Sequence, residues 1–298
     1  MEEYVRQYID YLKAENEVSA TTLVAYRRTL KKYVAFISQK GIVNPEEIRQ
    51  EIIEDYLKML NLTGLKPETL ASQCTHIKGF HQYLALEVKL TTSDPTVKLE
   101  RPRITRKLSP ILSIQEVNNL IMQPDVSTAI GLRDRAIIEM LYATGITLQE
   151  LQSLTLPDLM FEQKLIRCTG KGRKLPFLPI GEYAIRATYL YIEKSRNTFV
   201  KENSGETVFI SQRGGSLSRK TIWNIIREYA YKAGIRKAIN FHSIRHAFAA
   251  HLLQNGADFQ TVYALLGHKD MITTEIYENI WPRRPKERQQ NISPSGID

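Results

Sequence analysis

The chain has 298 residues, 43% apolar and 24% charged, with two cysteines and a net charge of +9 at neutral pH. That length accommodates two domains, each with a core of its own, and the apolar share is ordinary for a water-soluble globular protein. No run of about eighteen apolar residues exists to span a membrane, Met1-Glu2-Glu3-Tyr4 is acidic with no apolar secretory segment, and Cys74 and Cys168 are too few for a disulfide framework, so the expected compartment is the cytoplasm.

The charge is unevenly spread. Residues 1–100 hold 13 Lys and Arg against 14 Asp and Glu, whereas the rest of the chain holds 28 against 18. An excess of +10 in the second part suggests a polyanionic partner, nucleic acid being the usual one.

Val5, Tyr8, Ile9 and Leu12 recur at helical spacing from Glu3 to about Glu15. Ser19 is a suitable N-cap for a second helix carrying Leu23, Tyr26, Leu30, Tyr33, Val34 and Ile37. On it Arg27, Arg28, Lys31 and Lys32 fall at i, i+1, i+4 and i+5, either a solvated face or one that contacts phosphates. Pro45 is expected to open a third helix through Ile48, Ile52, Ile53, Tyr56 and Leu60, and Pro67 a fourth through Leu70, Ile77, Phe80 and Leu84. The first hundred residues thus read as an all-α bundle of four helices.

Asp94-Pro95 and Arg101-Pro102 oppose helix, and Lys98, Arg101, Arg103, Arg106 and Lys107 make the stretch from Thr91 to Pro110 basic. A linker of this kind fits a strap along a phosphate backbone, and a plain solvated connection fits almost as well. Beyond it, Ser113-Ile114-Gln115-Glu116 forms a capping box, and Leu132 to Tyr142 reads as a buried helix ending at Gly145. Leu165–Cys168 and Leu175–Ile180 are strand-like runs around Gly170-Lys171-Gly172-Arg173-Lys174, a hairpin whose basic tip suits a groove. Val208-Phe209-Ile210 is a further predicted strand, and Thr221 to Ala233 a helix with Trp223, Ile226 and Tyr229 or Ala230 inward. The fold expected is mainly α, with a small β-sheet or hairpin in the C-terminal domain.

The most informative stretch runs from Phe241 to Leu253. Ile244, Phe248 and Leu252 make an apolar stripe at i, i+4 and i+8, and His242 and Arg245 share another face. A following helix with Val262, Leu265 and Leu266 stops at Gly267, leaving His268 just past its end, and Tyr277 comes soon after. One guanidinium, two imidazoles and a phenol are a kit for handling a phosphate diester. The His242 to His246 spacing also suits a zinc helix, but that chemistry places a Glu directly after the first His, and here Ser243 stands there.

Tyr142-Ala143-Thr144-Gly145, Gly170-Lys171-Gly172, His242-Ser243-Ile244-Arg245-His246-Ala247-Phe248, Leu265-Leu266-Gly267-His268 and Thr273-Thr274-Glu275-Ile276-Tyr277 occur in this order. Together they resemble the tyrosine recombinases, or phage integrases, over nearly the whole chain, and most resemble the bacterial Xer type. The resemblance implies a helical core-binding domain (1–90), a basic linker (91–110), an α+β catalytic domain (111–280) and a tail (281–298) exchanged between protomers. It implies that Tyr277 attacks the scissile phosphate of a double-stranded DNA recombination site to give a 3′-phosphotyrosyl link. Arg245, His242 and His268 would hold the phosphate and assist proton movement, Lys171 would be the acid to the leaving 5′-oxygen, and Glu150 would play a supporting part. DNA contacts are expected from Arg27, Arg28, Lys31, Lys32, Arg103, Arg106, Lys107, Arg173 and Lys174. Neither metal nor cofactor is expected. The implied assembly is a homotetramer on paired sites, or a hetero-oligomer with a second recombinase, in the nucleoid-containing cytoplasm and without membrane.

One position departs from the pattern. Where the family places its first arginine, after Ala143-Thr144-Gly145-Ile146, this chain has Thr147. A hydroxyl offers one neutral donor where a guanidinium offers a charged fork, and removing such a donor costs about 3–4 kcal/mol of transition-state stabilisation. The chain is then a slow or inactive natural variant acting by DNA binding, carries an engineered substitution that holds a DNA complex, or uses Arg167 or Arg173 in compensation.

Overall fold

The computed structural model describes residues 1–15, 18, 20–91, 93–102, 110–168, 175–202 and 204–267. It divides into two compact units, Met1–Lys107 and Leu108–Asp298.

The first unit is built from α1 (Glu2–Ala14), α2 (Ala20–Gln39), α3 (Gln50–Leu62) and α4 (Pro67–Leu86). Their apolar stripes converge on Tyr8, Leu30, Tyr33, Ile37, Ile53, Tyr56, Ile77, Phe80 and Leu84, all buried. Pro45 does not open the third helix, contrary to the sequence expectation. It starts a 3-10 turn, Pro45–Glu47, after which buried Ile48 and then Arg49 take extended backbone before α3 begins. Pro67 does occupy the first turn of α4. The predicted N-cap Ser19 lies outside the described residues. Thr96 and Leu99 are buried in this unit, and Arg101 donates to the hydroxyl of Thr75, so the early part of the predicted linker packs on the helices.

A polar pair crosses this core. The Tyr33 hydroxyl lies 2.8 Å from Nε2 of His81, and burial pushes the His81 pKa down from 6.5 to about 4. Unfolded His81 takes a proton below about 6.5, whereas folded His81 does so only near 4. Between those values the unfolded state binds more protons, so stability falls as pH falls; His76, also depressed by burial, adds the same sign. Amide exchange of α2 and α4 in the full chain is expected to accelerate as pH drops from 6.5 toward 4, once corrected for intrinsic exchange rates. His81→Leu should flatten that response; an unchanged slope would count against His81 as its source.

The second unit comprises α5 (Ile114–Ile121), α6 (Ala129–Thr144), α7 (Leu148–Ser153), β1 (Leu159–Met160), β2 (Leu165–Arg167), β3 (Phe177–Pro179), α8 (Glu182–Tyr191), α9 (Asn197–Phe199), α10 (Arg219–Lys232), α11 (Ser243–Gln254) and α12 (Phe259–Leu266). The strands form an antiparallel sheet in the order β1-β2-β3, with Ile166 opposite Leu178. β1 is an addition to the sequence expectation, two residues long between 3-10 turns. The hairpin tip from Gly170 to Lys174 lies outside the described residues. Ser113 and Glu116 make the expected capping box on α5, and Thr128, Ser218 and Asp258 cap α6, α10 and α12.

Val208-Phe209-Ile210 is buried but is not a strand, which corrects the sequence reading. Its backbone acceptors go elsewhere. Buried Arg196 donates to the carbonyls of Thr207 and Val208, and buried Arg133 to that of Ile210. An apolar run therefore satisfies its main chain through two guanidiniums together with isolated backbone bonds, the Val208 N–H to Leu154 and the Leu217 N–H to Phe209, rather than through a continuous ladder. On α10, Ile222, Ile226 and Ala230 face inward, while Trp223 and Tyr229 are half-buried. α11 is buried on nearly every side, Ile244, Phe248 and Leu252 included, and α6 packs against it. No described helix is long and apolar enough to cross a membrane.

Candidate active site

Three segments meet around the N-terminus of α11. The first is the end of α6, which closes at Gly145 in the left-handed region (φ 62°). A Cβ there would meet the Phe248 ring, so glycine serves both the turn and the close approach of α11. The second is a tight turn before α11. Asn240 Oδ1 accepts the His242 N–H at 2.8 Å, and the Asn240 N–H donates to Ser243 Oγ at 2.7 Å. This turn leaves His242 exposed ahead of α11 and sets Phe241 against Trp223, ring centroids 4.9 Å apart. The third is the end of α12.

Arg245 joins them. Its side chain is buried, with one terminal nitrogen donating to the carbonyl of Gly145 and the other to that of Leu266. Thr147, His242 and Arg245 line one small cleft together with Asn240 and Phe241, over an apolar floor of Leu141, Ile146, Leu148, Ile226 and Ile244.

Thr147 is the N-cap of α7. Its Oγ1 accepts the Glu150 N–H at 3.2 Å and donates to Glu150 Oε2 at 2.9 Å, while its own N–H donates to the same carboxylate oxygen at 2.8 Å. The single hydroxyl proton that could have served a phosphate is engaged by Glu150. Arg167 gives no compensation, since it donates to Asp158 at 2.8 Å and does not line the cleft.

The structure thus brings Thr147, Glu150, His242 and Arg245 together. Arg27, Arg28, Lys31 and Lys32 lie on α2, all four exposed. Tyr277, His268, Lys171, Arg103, Arg106, Lys107, Arg173 and Lys174 lie outside the described residues. Sequence reasoning missed Asn240 and Phe241. The available signal was an Asn two residues before His242, the spacing at which an Asn side chain caps the backbone. His242 and His246 have ring centroids 6.0 Å apart, and no group of three His, Cys, Asp or Glu suited to a metal occurs among the described residues.

Residues 111–283 match the Phage integrase family model and residues 5–88 the Phage integrase, N-terminal SAM-like domain model. Tyrosine recombinase XerD of Staphylococcus epidermidis is 38% identical over 280 residues, covering 94% of this chain and 95% of that protein. The crystal structure of XerA recombinase aligns over 93% of this chain and 92% of its own, with 26% identity and a TM-score of 0.51. XerH site-specific recombinase, solved with palindromic difH substrate as a post-cleavage complex, aligns over 93% of this chain and 81% of its own, with 21% identity and a TM-score of 0.70. The chain belongs to the phage integrase family. Within it, the chain is a tyrosine-type site-specific recombinase.

The cap sets an expectation for stability. Thr147→Ala and Thr147→Arg should each lose about 1 kcal/mol with the α7 cap removed, read as a lower midpoint in thermal or urea unfolding. Gly145→Ala should cost more, because left-handed backbone strain and the Phe248 clash act together, each on the order of 1–3 kcal/mol. A Thr147→Ala variant as stable as the parent would remove the capping role.

Proposed function

We propose that this recombinase binds double-stranded DNA at a recombination site and cleaves it through Tyr277, slowly because of Thr147. The observation that carries the reading is the single cleft lined by Arg245, His242 and Thr147, in which Arg245 is held by two backbone carbonyls and the Thr147 hydroxyl is engaged by Glu150. Arg245 would take the non-bridging oxygens of the scissile phosphate with its charged donors. His242 and His268 would add hydrogen bonds as negative charge builds on the phosphorane. The Tyr277 phenol would give its proton to one of these two imidazoles as its oxygen bonds to phosphorus. The bond to the 5′-oxygen breaks and that oxygen takes a proton from Lys171. The phosphotyrosyl bond conserves the energy of the diester, so rejoining to a second strand needs no ATP.

The basic face of Arg27, Arg28, Lys31 and Lys32 supports a core-binding role for residues 1–90. Residues 91–110 would follow the DNA backbone through Arg103, Arg106 and Lys107, and the 170–174 hairpin would reach it through Arg173 and Lys174. Residues 111–280 would carry the chemistry, and the 281–298 tail would link protomers into a tetramer, with copies of this chain or with a second recombinase. The site of action would be the nucleoid.

A second reading is favoured by the same engaged hydroxyl: a sequence-specific DNA-binding protein whose chemistry has lapsed. Covalent adducts that survive denaturation separate the two. On fragmented genomic DNA the native chain should give an adduct that Tyr277→Phe abolishes, and Thr147→Arg should form it about a hundred- to a thousandfold faster. An adduct from Thr147→Arg alone would establish the lapsed reading, and none in any lane would remove the cleavage reading. Binding should weaken steeply with salt, and replacing Arg27 and Lys31 by Ala should lower the logarithmic salt slope by roughly 0.9 for each phosphate no longer neutralised.

A further inference from the structure

His251 lies on α11 and is 1% exposed. Its Nδ1 is 2.9 Å from the Tyr142 hydroxyl, with the rings edge to face at 5.9 Å. Burial lowers the His251 pKa and raises that of Tyr142 to about 12, so the imidazole is neutral and the phenol keeps its proton. The Leu112 backbone bonds the imidazole in the sense that favours its protonated form. The ring hydrogen is therefore assigned to the nitrogen away from Tyr142, and the Tyr142 O–H is the donor to Nδ1. The other ring nitrogen carries the hydrogen and serves the backbone of Leu112, the residue just before the Ser113 cap of α5. One buried imidazole thus ties α11 to the end of α6 and to the segment leading into α5.

The placement of this tie matters. Arg245, Phe248 and His251 fall at i, i+3 and i+6 on α11, and all three meet the last turn of α6. Arg245 donates to the carbonyl of Gly145, Phe248 packs where a Gly145 Cβ would sit, and His251 holds Tyr142, three residues earlier. Arg245 and His251 are about 9 Å apart along the helix at 1.5 Å per residue. Two hydrogen bonds separated by that lever, with a ring between them, fix both the slide and the tilt of α11 against α6. Without the His251 end, α11 could pivot about Phe248, and Arg245 and His242 would move together. On the other side of the site, Lys237 donates to the carbonyl of Ile111 at 2.9 Å and to Glu116 at 2.6 Å, so the same lead-in segment is also clasped by the loop that precedes His242.

We propose that His251, acting through Tyr142, is a positioning residue that sets the place of Arg245 in the cleft. The inference rests on the reading of Arg245 as the phosphate-holding group, and its test has one readout that needs no reaction. Tyr142→Phe removes only the hydroxyl. His251→Gln keeps a donor in the place of the Leu112-facing nitrogen but loses the Nδ1 acceptor, and His251→Asn keeps an acceptor in the place of Nδ1. In the full chain without DNA, the Nε–Hε resonance of Arg245, assigned by its loss in Arg245→Lys, should shift and exchange faster with solvent in Tyr142→Phe and His251→Gln. His251→Asn should restore much of the native signal.

With a nicked DNA substrate that traps the covalent adduct, the same two variants should cleave on the order of ten- to a hundredfold more slowly, with unchanged affinity for DNA. The comparison is run in the native and Thr147→Arg backgrounds. Combined with Arg245→Lys, the losses should be less than additive. An Arg245 resonance unmoved by Tyr142→Phe and His251→Gln would overturn the proposal, as would unchanged cleavage by both or full additivity. A moved resonance with no adduct in either background would sustain the coupling of His251 to Arg245 and overturn the cleavage reading instead.

Discussion

The second unit depends on one buried guanidinium. Arg245 donates to the carbonyls that close α6 and α12, while its own backbone belongs to α11. Each acceptor lies at a helix C-terminus, where carbonyls lack intrahelical partners and the helix dipole favours a cation. Two carbonyl oxygens orient the guanidinium and fix its plane. The arrangement also makes the site and the fold inseparable. The cation joins three helix ends that the apolar core also packs together, and it is aimed by the carbonyls those ends present.

Thr147 shows the opposite compromise. The residue before α7 must satisfy free N–H groups or leave them to water, and Thr with Glu150 does this reciprocally. An arginine there would bring charge to the cleft and surrender the hydroxyl cap. The chain holds the solution that favours the helix. Glu150 then receives both Thr147 donors on one oxygen, which draws its carboxylate toward the cap. At this side chain the hydrogen bonds serve the helix cap.

The helices were legible because their signals are local: periodic apolar residues in α2, α4 and α11, a capping box at Ser113, and a glycine where α6 must turn. Errors arose where distant groups override local pattern. Val208-Phe209-Ile210 has strand composition, yet its backbone pairs only in isolated bonds, and Arg196 and Arg133 donate to the carbonyls of Val208 and Ile210. Pro45 looks like a helix start, yet Ile48 is drawn into the core in extended form and delays α3. The same distinction holds in the cleft. The kinship of His242 and Arg245 was visible from their spacing on one helix. Engagement of the Thr147 hydroxyl, and the link from His251 across 109 residues to Tyr142, depend on side-chain directions that spacing does not encode.

Charge counting has the same limit. The excess of basic residues after residue 100 suggested a polyanion, but several of those arginines never face one. Arg133 is buried beside Asp134 at 2.8 Å and over the Phe199 ring, and Arg196 is buried among carbonyls of the 205–208 segment. These cations organise the interior. Within residues 1–100, whose net charge is −1, four basic residues stand together on one stretch of α2, all of them exposed. A phosphate backbone responds to charge at a surface, within a Debye length of about 10 Å at moderate salt, and not to the sum over a chain. The nearly neutral first hundred residues therefore present a concentrated basic face, while part of the charge in the second unit goes into holding its own helices and loops together.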